Sequence, residues 1–253
     1  MQKLTVIIPC YNEESNMQAV LESVKWADEI MVVDSFSTDN TIEIAKEYTE
    51  FIIQREYNNS ASQKNWAIPQ ATHDWILLVD ADERVTTTLK KEIQKLLSQK
   101  NLADAYWIDR QNYFMDKPLN YVVKGDKVIR LFKKICRYEP IHVHSEIIVD
   151  GLKIGKLKGL LNHHTFKSID LYMAKINRYA TWSAKDYAGK TKSITFFHLL
   201  VKPTFRFFKH YILERGFLDG KVGFIMSCVL SWAVFMRYWK IMEIHQNNNK
   251  KSK

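Results

Sequence analysis

The chain has 253 residues, room for one large domain or one domain with an appendage, and its 46% hydrophobic share is enough for a full core and argues against disorder. Its net charge of +9 is uneven: residues 191–253 carry 11 Lys and Arg against 3 Asp and Glu, while residues 1–190 are nearly neutral. A basic tail of this kind suits nucleic acid or an anionic membrane surface. The cysteines Cys10, Cys136 and Cys228 are odd in number and far apart, which fits free thiols in a reducing compartment rather than a disulfide frame or a zinc site. No basic, apolar, small-residue leader opens the chain, so no secretory signal is expected.

The predicted elements alternate. Leu4 to Pro9 (LTVIIP) is a buried strand ended by proline. Asn12 or Ser15 is expected to cap the helix that follows, with Met17, Val20, Leu21 and Val24 at helical spacing. EIMVVD (Glu29 to Asp34) is the second strand, SFSTDNT a polar turn with Asp39 as a cap for a helix through Tyr48, and Phe51 to Ile53 a third strand. Ser60 to Ile68 reads as a helix. WILLVDADE (Trp75 to Glu83) reads as a buried strand running straight into an acidic cluster. Strand periodicity puts Asp80 and Asp82 on one side, where two carboxylates call for a hard cation between them. The bland alternative is a polar turn followed by a helix start.

Leu89 to Leu97 is an amphipathic helix; AYWIDRQNYF, KVIRLFKK and HSEIIVDG then read as strands of a mixed or antiparallel edge, with Asp150-Gly151 a tight turn. His163, His164 and Thr165 precede a long helix from near Ser168. Alternating strands and helices predict an α/β fold, a mostly parallel central sheet flanked by helices, whose ligands bind beyond the carboxyl ends of the strands. Asn12, Glu13, Asp34, Ser35, Asp80 and Asp82 would converge there. No GxGxxG follows the first strand and no GxxxxGK[ST] occurs, which disfavours a dinucleotide-binding dehydrogenase and a P-loop NTPase.

In the tail, ITFFHLLVKPTFRFFKHYILERGF mixes aromatics with Lys and Arg, and Val222 to Met236 is an uncharged run of 15 residues between Lys221 and Arg237. A spanning helix needs about 20. An interfacial or re-entrant helix is therefore expected, the alternatives being a buried core helix or a dimer interface. No nucleic-acid motif is present, so no nucleic acid is expected as a partner. The final NNNKKSK is expected to fray.

Four motifs in order, VIIPCYNEE, VVDSFSTDNT, SASQKNWA and LLVDADE, resemble the family-2 inverting glycosyltransferases, which have the GT-A nucleotide-sugar-binding fold. VIRLFKK, VHSE, NHHTFKSIDLYMAKINRYATWSA and GFLDGKVGF are similar to the branch that adds sugars to the lipopolysaccharide inner core. The resemblance implies a GT-A catalytic domain over 1-167 and a C-terminal amphipathic, membrane-proximal helical extension over 168-253. It implies that Pro9, Tyr11 and Glu13 line the nucleotide pocket, and that Asp34 holds the uridine. Lys64 would lie beside the base or phosphates, Asp80 would contact the ribose or donor sugar, and Asp82 would bind Mg2+ or Mn2+. Arg130 would face the diphosphate or an anionic acceptor. Glu146 matches the acidic residue of a VHE pattern, here the longer VHSE with His144, and is the candidate base. His163 would complete the metal shell, with His164 able to serve instead.

The chemistry implied is displacement at the anomeric carbon of a UDP-sugar. The leaving diphosphate needs charge neutralisation, and the acceptor hydroxyl needs one carboxylate base on the opposite face of the sugar. The expected partners are a UDP-sugar, a lipid-linked saccharide and an anionic membrane surface, at the inner face of the cytoplasmic membrane; the oligomeric state is left open. Two competing readings stand beside this one: a polyprenyl-phosphate glycosyltransferase, whose anionic acceptor needs no base, and a non-catalytic nucleotide-sugar-binding membrane scaffold.

Overall fold

The structure, a computed structural model, describes residues 2–123, 125–140, 146–166 and 168–251, with backbone alone for 249–251. The chain forms two compact units, Met1–Gln111 with Gly125–His163, and Asn112–Lys124 with His164–Lys253.

The first unit follows from the alternation of its sequence. Its elements in order are β1 (Leu4–Cys10), α1 (Glu14–Val24), β2 (Glu29–Asp34), α2 (Thr41–Lys46), β3 (Ile52–Gln54), α3 (Ser60–Ala67), β4 (Trp75–Leu78), β5 (Glu83–Val85) and α4 (Thr87–Leu97). The long strand β6 (Ala105–Phe114) follows, then β7 (Lys117–Pro118), β8 (Lys127–Lys133) and β9 (Ile154–His164). The sheet order is β3-β2-β1-β4-β8-β6-β9-β5. β1, β2, β3 and β4 pair in parallel, while β4 with β8, β6 with β8, and β5 with β9 are antiparallel. β5 follows β4 after only four residues yet lies at the far end of that order, so the sheet curls back on itself.

Strands with apolar residues on both faces create two cores. Leu4, Val6 and Ile8 of β1 join Val32, Trp75 and Leu77 against Met17, Val20, Leu21 and Val24 of α1 and Leu89 and Ile93 of α4. Ile7, Met31, Val33, Ile76 and Leu78 face the other way, against Ala61 and Ala67 of α3. α4 starts where Thr86 Oγ1 accepts from Leu89 N at 3.2 Å. Gly159 of β9 lets this helix approach the sheet, since a Cβ there would strike the Leu89 backbone.

Three local expectations differ from the structure. Neither Asn12 nor Ser15 caps α1. Asn12 takes a positive φ of 51° and turns its Oδ1 to Thr38 N at 2.8 Å, and Glu14 N donates instead to Asp39 Oδ2 at 3.1 Å. HSEIIVDG does not form a strand over its described residues: Ile147 makes an isolated bridge with Tyr138, and His144 and Ser145 lie outside the described residues. WILLVDADE is two strands rather than one. β4 stops at Leu78, Glu83 N donates to Asp80 O at 2.8 Å to close a turn, and β5 begins.

The second unit is helical apart from the β6–β7 hairpin, which pairs Tyr113 with Pro118. α5 (Ile169–Ala188) is capped by Ser168, whose Oγ accepts from Leu171 N at 3.2 Å. α6 (Lys202–Phe208) is short, and α7 (Gly220–Lys251) is long. Tyr172, Val222 and Met226 pack with Phe114, Leu119 and Val122; Ala184 packs with Tyr238 and Ile241. Asp219 ties residues 120–122 to the start of α7, accepting from the backbone N–H groups of Asn120, Tyr121 and Val122 at 2.9, 3.0 and 2.9 Å. The run Val222 to Met236 continues past Arg237 within α7. Arg237 packs over the Tyr187 and Tyr238 rings at 5.0 Å, so the helix does not end at the charge. Residues 216–248 have a mean hydropathy of 1.4 over their most apolar window, long and apolar enough by composition to cross a membrane, with 22% of that window buried.

Candidate active site

The site is built at the carboxyl ends of β1, β2 and β4. Cys10 of β1 stands level with Asp34 of β2, and Ile7 with Leu78 of β4. The two loops that follow β1 and β2 are stitched together: Asn12 N donates to Ser37 Oγ at 2.9 Å and Glu13 N to Thr41 Oγ1 at 2.8 Å. Pro9 is half-buried at the end of β1 and Tyr11 is exposed beyond it; Glu13 accepts from Asn16 Nδ2 at 2.9 Å.

Asp34 is fully buried. Its carboxylate accepts from Ser37 N at 3.0 Å, from Ser37 Oγ, and from Gln54 Nε2 at 2.9 Å. Its carboxylate oxygens serve the turn that follows β2 and the end of β3. Ser35 next to it accepts from Gln63 Nε2 at 3.3 Å, while Gln63 Oε1 is buried with no hydrogen-bond partner among the described residues. Through Gln63 and its neighbour Lys64 the second strand's end connects to the fourth.

At the end of β4 the charges separate. Asp80 pairs with Arg130 of β8, and with Lys64 of α3 at 3.4 Å. Burial alone would raise the Asp80 carboxyl, but Arg130 and Lys64 beside it outweigh burial and hold it well below the usual carboxylate range. Burial lowers the Lys64 ammonium, with Asp80 opposing, and that ammonium lies 5.1 Å from the centre of the Tyr138 ring. The repulsion expected between Asp80 and Asp82 is thus answered for Asp80 by side-chain cations. Arg130 is 4% exposed and held between Asp80 and Glu83.

Glu83 is the residue that sequence reasoning passed over. It is fully buried; its Oε2 accepts from Asp80 N at 2.9 Å, and its Oε1 meets Arg130 at 2.8 Å and Arg110 of β6 at 3.2 Å. Arg110 also meets Asp126 at 2.6 Å. The signal was present as the fourth letter of DADE and as a lone arginine within an otherwise strand-like run. Arg84 braces the same turn, donating to Ala81 O at 2.7 Å, to Glu83 O at 2.8 Å and to Asn16 Oδ1 at 2.9 Å.

Asp82 turns elsewhere. Its Oδ2 lies 3.5 Å from His163 Nε2, because β5 and β9 pair with Glu83 opposite His163. Of the two histidines considered, His163 is the one beside Asp82; His164 stacks on Tyr113 with ring centres 4.4 Å apart. One carboxylate oxygen and one imidazole nitrogen at this separation fit two adjacent ligands of a divalent cation whose other positions are filled by phosphate oxygens and water. Among the described residues no three His, Cys, Asp or Glu side chains cluster as a complete metal cage. Glu146 is exposed, one residue before Ile147, and its carbonyl accepts from Glu139 N at 2.9 Å.

The profile described as Glycosyl transferase family 2 matches residues 5–148. The chain belongs to this family. Its curved α/β sheet is the GT-A type of fold, and as a family-2 member the protein is a glycosyltransferase. It is 31% identical to an uncharacterized glycosyltransferase of Rickettsia typhi, with 96% of this chain and 88% of that protein aligned. It is 27% identical to the lipopolysaccharide core biosynthesis glycosyltransferase LpsC of Rhizobium meliloti, over 96% of this chain and 93% of LpsC. Among solved structures it is similar to glucosyl-3-phosphoglycerate synthase from Mycobacterium tuberculosis in complex with Mg2+ and UDP, at a TM-score of 0.36 and 17% identity over 44% of each chain.

Proposed function

We propose that this family-2 enzyme moves a hexose from a UDP-sugar to a hydroxyl of a lipid-linked saccharide of the lipopolysaccharide inner core, with inversion at the anomeric carbon and with a divalent ion, Mg2+ or Mn2+. The observation that carries this reading is the pairing of Asp82 with His163 beside a separate, charge-balanced group of Asp80, Glu83, Arg130 and Lys64. An ion held by Asp82 and His163 supplies charge neutralisation to the leaving diphosphate when bound. Pro9, Tyr11 and Glu13 line the nucleotide side. Asp34 acts on the uridine through the Ser35–Ser37 turn it braces. Asp80 and Lys64 face the donor's ribose, sugar and phosphates, with Arg130 behind them setting their charge. Glu146, which is exposed, takes the acceptor proton as the acceptor oxygen bonds to the anomeric carbon and the bond from that carbon to the diphosphate breaks.

The first unit serves as the catalytic domain and the second as a membrane-proximal extension at the cytoplasmic face. Similarity to LpsC over nearly the whole chain supports the acceptor class.

A screen of UDP- and GDP-sugars by metal-dependent thermal shift tests the donor. A UDP-sugar is expected to stabilise the protein most, and only with Mg2+ or Mn2+; a stronger shift with GDP-mannose would overturn the donor. Glu146→Gln tests the acceptor: turnover is expected to drop about 10²- to 10⁴-fold. Near-normal turnover of that variant would instead favour a polyprenyl phosphate, which needs no base.

A further inference from the structure

The second unit presents a face whose polarity is reversed for a surface helix. Residues 196–213 wind as one helical run in which α6 is bracketed by the π-helical segments Phe197–Val201 and Lys209–Leu213. A π-turn closes on the fifth residue along, so each segment admits an extra residue before the face repeats. Leu200 and Phe205, and likewise Phe208 and Leu213, therefore stay on one side although they are five apart. That side looks outward: Phe196 is 85%, Leu200 64%, Phe205 61% and Leu213 69% exposed. A shallow groove on it is lined by Leu200, Val201, Thr204, Phe205 and Phe208, without a charged group.

The residues lining that groove include none of the run's charged or imidazole groups. Lys202 Nζ donates to the Tyr238 hydroxyl at 2.9 Å, His210 is buried against Glu214 at 2.6 Å, and Arg206 and Lys209 are half-buried. A contiguous outward apolar face of this kind marks an interaction surface.

We infer that this face beds into the interfacial layer of an anionic lipid bilayer, with the run lying in the membrane plane. Charge selects the occupant. Residues 191–253 hold a surplus of 8 positive charges, including Arg215 and Lys221 just beyond the run, which anionic headgroups complement. A second copy of the chain would bring another +9. The neighbouring α7 is itself apolar and mostly unburied. The inference rests on the membrane-proximal reading above but moves the inserting element from residues 222–236 to residues 196–213.

Flotation of the full-length protein with vesicles tests it. Vesicles of phosphatidylcholine with phosphatidylglycerol are expected to capture the protein, and more tightly than phosphatidylcholine alone. The double substitution Leu200→Asp with Phe205→Asp is expected to lower the partition coefficient about 10- to 100-fold. Ile135→Asp, at a comparably exposed apolar position of the first unit, should leave it unchanged. Because the double variant could misfold, Phe205→Cys in a Cys228→Ser background, carrying an environment-sensitive dye, gives a second readout. Its emission is expected to shift to the blue on the anionic vesicles and not with vesicle-free protein at any concentration.

Undiminished capture of the double variant, or an unshifted dye on vesicles, overturns the inference. A concentration-dependent blue shift without lipid, with a dimer in sedimentation, overturns it in favour of a second copy. UDP binding with Mn2+, measured by calorimetry on the same protein, separates the two readings: lost flotation with retained UDP binding removes only the membrane face, and the converse removes only the UDP-sugar donor.

Discussion

Asp34, Lys64, Glu83 and Arg130 are all buried in the first unit, each against a partner of opposite charge or a hydrogen-bond donor. In the second unit Phe196, Leu200, Phe205, Phe208 and Leu213 face outward, and a buried polar side chain such as His210 is matched by a single neighbour. Charged groups are costly to bury unless paired, and large apolar faces are costly to leave in water. Each unit therefore bears the cost that suits a different ligand. The first keeps charges pre-arranged, as binding a charged nucleotide requires. The second keeps carbon exposed, the condition that the proposed lipid-facing role needs.

The largest effect expected on this contrast comes from Asp82→Ala. Turnover should fall about 10³-fold or more and the metal-dependent thermal shift should vanish, while vesicle flotation stays as it was; retained turnover in a steady-state assay would break the division of labour. Glu83→Gln should follow. With its charge removed, Arg110 and Arg130 lose a buried counter-ion, and the cost is about 3–5 kcal/mol in chemical denaturation; a cost near zero would show that the cage is not structural.

Acid titration probes the same cage. The Asp80 carboxyl is depressed in the folded state, so its contribution is complete above its ordinary value of 3.8 and is lost as pH falls through the lower folded value. The fluorescence-monitored stability of the wild type should therefore drop below about pH 4 more steeply than that of Asp80→Asn. In the second unit, Asp219→Ala removes the acceptor for three backbone N–H groups and should cost about 2 kcal/mol, with UDP binding unchanged by calorimetry. Smallest is Thr86→Ala, which deletes the α4 cap for about 1 kcal/mol and should leave flotation and donor binding alike untouched.

Short continuous apolar runs were enough to read the parallel strands from Leu4, Glu29 and Trp75, because both faces of those strands are covered. The helix from Ser168 was legible through its cap. β5 and β9 were not. β5 is three residues long, and β9 alternates lysines and glycines with its leucines, so neither carries the composition of a strand without its partner. Among the site residues, Asp80, Asp82 and Lys64 are at the expected edge. Asp34 and Arg130 are there too, but with their polar atoms turned to protein partners, which depends on neighbours such as Gln54 and Glu83 that are distant or unassigned in the motif.

By itself the order of residues determined the family motifs, the alternation that yields the sheet and the basic, aromatic character of the tail, since each is a property of local composition and spacing. Only the tertiary structure decided which histidine stands beside Asp82, that Asp80 is neutralised by Arg130 and Lys64, and which side of residues 196–213 is apolar. Those outcomes depend on strand register, on contacts between segments far apart in the chain, and on two π-helical turns that rotate one face of a helix, none of which local spacing encodes.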